Sequence, residues 1–127
     1  MIVLDASAAV SALLDDGAAR SLLATEAAHA PHLIDLEVAS VLRRIVASGR
    51  IAADDGWAAI EAWRRIGITR YAVTGLLPRI WELRDNLSAY DAGYVALAEA
   101  LECPLATTDS RISRAPGLRC PITVLPG

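Results

Sequence analysis

Short β-like runs alternate with helical stretches along the chain. Ile2-Val3-Leu4 is an apolar run that stops at Asp5, as a buried strand would. Ser7–Leu14 and Ala18–Ala27 read as helices, interrupted at Asp15-Asp16-Gly17. His29-Ala30-Pro31 falls where a second strand is needed. Leu33–Ala47 carries Leu36, Ala39, Leu42, Ile45 and Val46 at helical spacing and stops at Gly49, a suitable C′ residue. Ile51–Ile66 is a further helix, with Asp54 and Asp55 early and Arg64 and Arg65 late, matching the macrodipole. Tyr71-Ala72-Val73 is read as a third strand. Pro78 opens a helix to about Asn86, and Ser88 caps another over Ala89–Glu102. Leu105–Thr108 and Ile122–Leu125 are the last two strands. No linker, repeat or boundary divides residues 1–127, so a single α/β domain with a parallel sheet and right-handed crossovers is expected.

Composition narrows the chemistry. With 54% hydrophobic and 21% charged residues, the chain is too apolar for disorder. No stretch reaches the ~20 apolar residues of a membrane span, and the first residues lack a basic leader, so a cytoplasmic protein is expected. There are 25 alanines, which suit close helix packing, and no phenylalanine. All 12 basic residues are arginines. The absence of lysine removes Schiff-base chemistry and the phosphate-binding lysine of a P-loop. A net charge of −3 argues against binding nucleic acid by charge alone. Cys103 and Cys120 form no CxxC pair and read as reduced, buried thiols. His29 and His32 lack a third ligand at useful spacing. Trp57, Trp63 and Trp81 read as core or interface anchors.

The chemistry lies in four acids. Asp5 and Asp109 each end a strand, so a parallel sheet brings both to one carboxyl edge, where function gathers in such folds. Glu37 and Asp91 sit early in helices that begin near that edge. Such an oxygen-rich pocket cannot remain fully ionised without help, and Mg2+ or Mn2+ resolves the conflict. Each acid also has a plainer role. Asp91 stands at capping-box spacing from Ser88, Asp109 could cap Ser110–Ala115, and Glu37 is favoured by its helix dipole. Asp5 is the hardest to explain without a partner, because a charge ending a buried strand is costly.

The series Asp5-Ala6-Ser7, Glu37, Leu87-Ser88-Ala89-Tyr90-Asp91-Ala92-Gly93-Tyr94 and Thr107-Thr108-Asp109 resembles the PIN-domain ribonucleases, and most closely the VapC-type toxins of bacterial toxin–antitoxin pairs. The resemblance covers essentially the whole chain. It implies a PIN-like three-layer sandwich with about five parallel strands in the order 3-2-1-4-5. It further implies that Asp5, Glu37, Asp91 and Asp109 hold Mg2+ (Mn2+ possible) for endonucleolytic hydrolysis of RNA, with Ser7 and Thr107 in support. Ser110 departs from the pattern, since relatives often carry a basic residue there; Arg111 and Arg114, with Arg84, are candidates for RNA phosphate contact. Without the four acids the formal charge of −3 becomes +1. A homodimer and an antitoxin (VapB-like) that covers the site are the implied partners. Receiver domains and haloacid-dehalogenase-type phosphatases also end their first strand in Asp, but they need a lysine. A flap nuclease would need further elements to grip duplex DNA. The remaining alternative is a catalytically silent PIN-like module that binds RNA or protein.

Overall fold

A computed structural model describes residues 1–127. Five strands, β1 (Ile2–Leu4), β2 (Ala28–Pro31), β3 (Ile68–Tyr71), β4 (Leu105–Thr107) and β5 (Ile122–Val124), form one parallel sheet in the order β3-β2-β1-β4-β5. The expected order is thus the observed one. Seven helices connect them: α1 (Ala6–Leu14), α2 (Ala18–Thr25), α3 (Ile34–Ala47), α4 (Ala53–Arg65), α5 (Leu77–Glu82), α6 (Ala89–Leu101) and α7 (Ser110–Ser113).

Helices α1 to α4 pack on one another, while α5 pairs with α6, which lies against β1, β2 and β4. Right-handed crossovers place these two groups on opposite faces of the sheet, because the chain moves outward from β1 to β3 and then returns to β4. The reversal lies between β1 and β4, whose carboxyl ends therefore open a crevice. Small residues let the layers approach. In α6, Ala92 to Ala98 are buried without a break. A Cβ added at Gly56 of α4 would sit 2.7 Å from Val46 Cγ2 of α3, so glycine is required for this contact. None of the helices is long and apolar enough to cross a membrane.

Several boundaries differ from those read in the sequence. The third strand is Ile68–Tyr71, sharing only Tyr71 with the expected one. It is an edge strand in which Ile68 alone is buried, and Arg70 is drawn to Asp35 of α3 by a 2.7 Å ion pair. Such a strand lacks the apolar run that marks a central one. Helix α5 stops at Glu82, after which Asn86 and Leu87 both donate to the Leu83 carbonyl in tight turns. Helix α2 ends at Thr25, freeing Ala28 to begin β2. Of the three tryptophans only Trp63 is in the core; Trp57 and Trp81 are 62% and 67% exposed. Cys103 is buried as expected, but Cys120 is only partly so.

Candidate functional site

Asp5 performs two local tasks. It follows the last residue of β1 and caps α1, its Oδ1 accepting the Ala8 N–H at 3.0 Å. The chain thus turns from strand to helix with no loop, which forces the Asp5 carboxylate to the carboxyl edge while leaving it 5% exposed. Hydroxyls complete its shell. Ser7 Oγ donates to Oδ1 at 2.6 Å, and the fully buried Thr107 donates to Oδ2. Ser7 Oγ in turn accepts the Thr108 N–H, and Thr107 Oγ1 accepts the Asp109 N–H, each at 3.0 Å. One hydroxyl network therefore stitches the ends of β1 and β4 together. Burial pushes the Asp5 carboxyl above its ordinary value; the charge of Asp91 adds to this, and the donors from Ser7, Thr107 and Ala8 oppose it.

Helices α3 and α6 begin at the same edge and deliver Glu37 and Asp91 from opposite faces of the sheet. Tyr94, one turn after Asp91 and 2% exposed, donates its hydroxyl to Glu37 Oε1 at 2.5 Å. Asp91 is half-buried. Its N–H bonds Ser88 Oγ at 3.1 Å, so the expected cap is present. Burial, followed by the charge of Asp109, holds the Asp91 carboxyl above its ordinary value against the lowering by Ser88 and Arg111. Asp109 caps the short α7 by accepting the Arg111 N–H at 3.0 Å. The Arg111 guanidinium also forks onto it, with Nη2 2.7 Å from Oδ2, and this pairing holds Asp109 below its ordinary value. A 500 Å3 cavity lies between Ser88, Asp91, Asp109 and Arg111.

The four acids therefore share one edge, where the charge of Asp91 acts on Asp5 and that of Asp109 on Asp91, and the capping roles of Asp91's partner Ser88 and of Asp109 coexist with this clustering. Their chemistry, hard oxygens gathered at one edge, suits a divalent cation. They are not drawn into a coordination sphere: no three His, Cys, Asp or Glu side chains are close enough to hold a metal together. Arg111 rests on Asp109 and Tyr94 on Glu37. Among the other candidates, Arg84 stacks its guanidinium 4.7 Å from the Trp81 ring centroid and donates to the Trp81 carbonyl. Arg114 is exposed at the C-cap of α7. His29 is engaged by Tyr71, with 2.7 Å between Nδ1 and the hydroxyl. Tyr94 received no role from the sequence reading, although its i, i+3 spacing from Asp91 puts both on one helix face.

Residues 2–118 match the PIN domain family. Over 126 residues the chain is 60% identical to ribonuclease VapC9 of Mycobacterium tuberculosis, with 99% of each protein covered. Its fold superposes on that of M. tuberculosis VapC20, a toxin that cleaves the sarcin–ricin loop, with a TM-score of 0.67 at 21% identity, covering 94% of this chain and 97% of that one. A similar match is found with VapBC2 of Rickettsia felis bound to a DNA fragment from their promoter, with a TM-score of 0.66 at 15% identity over 97% and 99% of the two chains. The family match along the chain, the VapC9 identity from end to end and the acids at the sheet reversal agree: this chain belongs to the PIN-domain family, in its VapC branch.

Proposed function

We propose that this chain is a metal-dependent endoribonuclease, the toxin of a toxin–antitoxin pair, acting as a single domain in the cytoplasm. Asp5, Glu37, Asp91 and Asp109 would hold one or two Mg2+ or Mn2+ ions. The observation that carries this reading is how the acids are satisfied. Asp5 is held by two hydroxyls and one N–H and Glu37 by a phenol, while at Asp91 only the backbone N–H enters the cap, on Ser88 Oγ. None of these three is neutralised by an arginine, so their charge is left for a cation from outside. By contrast, Asp35 and Glu99, which lie outside this group, are each paired with an arginine at 2.7 Å.

A divalent ion supplies charge neutralisation at phosphorus and a water of lowered pKa. The protein's own groups do the rest. Ser7 and Thr107 fix the orientation of Asp5, and Tyr94 limits the motion of Glu37. Asp109 is released by its neighbour: Arg111, with 80% of its side chain exposed, can exchange the carboxylate for an RNA phosphate at little cost. Arg114, at the C-cap of the same short helix, and Arg84 are further phosphate contacts. The antitoxin is assigned to the apolar groove between α3 and α4, a 520 Å3 channel lined by Leu42, Val46, Trp57 and Ile60. A homodimer would cover the exposed Leu77, Trp81 and Tyr90.

The test is cleavage of RNA by the purified protein with Mg2+ or Mn2+, with EDTA, and with Asp5→Asn purified identically. Metal-dependent cutting that disappears in the variant is expected. Equal cutting by both proteins would mean a contaminating nuclease, and no cutting of whole-cell RNA would support the silent binding module.

A further inference from the structure

We infer that Tyr94 is a positioning residue of the carboxylate site, its hydroxyl fixing Glu37 in place without cancelling its charge. This rests on the proposed reading of the site and adds to it a residue from the core.

The bond joins two helices, α6 and α3, across the site. Tyr94 lies in the second turn of α6 and Glu37 in the first turn of α3. The ring is almost wholly buried, and its one polar atom is spent on Glu37 Oε1 at 2.5 Å. Phenylalanine would fill the same volume in the core. A tyrosine here therefore contributes a single directed donor, aimed at the group of carboxylates.

A neutral donor is the feature that suits the place. Two carboxylates outside the site each meet a guanidinium, Asp35 on Arg70 and Glu99 on Arg79. An arginine on Glu37 would orient it equally well, but would remove a negative charge that a divalent ion needs. The phenol orients and leaves the charge. Without it, the flexible Glu37 side chain must be ordered by the ion alone, and that entropy is subtracted from binding.

The experiment is Tyr94→Phe in the full chain, read by Mn2+ calorimetry without RNA, by kcat and KM for RNA cleavage, and by thermal unfolding. Tyr71→Phe is the control, since it removes a different tyrosine hydroxyl, the one bonded to His29. The expected result is Mn2+ binding weakened about tenfold in Tyr94→Phe, the worth of one hydrogen bond to a charged group. A lowered kcat at unchanged KM should accompany it, while Tyr71→Phe binds Mn2+ as wild type does. Wild-type Mn2+ affinity and kcat in Tyr94→Phe, with or without a fall in melting temperature, would overturn the role of Tyr94 alone. A wild-type protein that neither binds Mn2+ nor cuts RNA would overturn the metal-nuclease reading on which it rests.

Discussion

Replacing Asp5 by Asn should stabilise the metal-free protein while abolishing its response to metal. The substitution is nearly isosteric, and the surrounding hydroxyls can adapt. Oδ1 would keep its bonds from Ser7 and the Ala8 N–H, while the new amide donates to Thr107 Oγ1. The Thr107 proton would then turn to Ser7 Oγ, 3.3 Å away. What disappears is a charge 5% exposed at the end of a central strand. Its removal should be worth about 1 to 2 kcal/mol, the scale of one buried polar mismatch. For 127 residues at about 2.1 cal/mol/K each, that is a rise in Tm of about 4 to 8 °C. The pH dependence follows from the raised Asp5 pKa. Its carboxyl loses a proton in the unfolded chain near the ordinary 3.8, but only at higher pH in the folded one. Wild-type stability is thus lost as pH rises through that window, and the gap in Tm should narrow as pH returns toward its lower end. Adding Mg2+ should reverse the order, because saturation at 100 Kd stabilises wild type by about 2.7 kcal/mol and the variant not at all. Calorimetric melts in EDTA and in Mg2+, at pH 4 and 7.5, read all of this. A variant less stable than wild type in EDTA at neutral pH, or a gap unchanged at pH 4, would refute the reasoning.

Three further substitutions probe the surroundings. Thr107→Val removes the donor to Asp5 and leaves the Asp109 N–H without its acceptor; unfolding in denaturant should show a loss of about 1 to 3 kcal/mol, together with slower RNA cleavage. Arg111→Ala frees Asp109, so calorimetry should show tighter Mn2+ binding while KM for RNA rises; both moving the same way would contradict the exchange of Arg111 between carboxylate and phosphate. Trp57→Ala, at a 62% exposed position, should leave the melting temperature unchanged and weaken binding of a cognate antitoxin peptide by roughly tenfold or more, as for an interface anchor.

The central strands and the four acids could be read from the sequence because each has a local cause. Ile2-Val3-Leu4 and Leu105-Ala106-Thr107 are buried runs that end in an acid, and Ser88 stands before α6 with a cap that the structure shows in place. Edge strand β3 was displaced because its identity comes from long-range partners: Arg70 is held by Asp35, thirty-five residues earlier. Tyr94 stood in the quoted motif but received no role for the same reason, since its bond to Glu37 crosses 57 residues. Arg111, a candidate RNA contact in the sequence, rests on Asp109, two residues away, a pairing that spacing alone did not single out.

The central claim is that Asp5, Glu37 and Asp91, none of them paired with an arginine, form one cation site together with Asp109. It is tested most directly by the anomalous diffraction of crystals soaked in Mn2+. The expected result is a peak bounded by the Asp5 and Asp91 carboxylates, with Glu37 still bonded to Tyr94 and Arg111 withdrawn from Asp109. A protein that takes up Mn2+ elsewhere, or shows no peak among these acids at saturating metal, would contradict it.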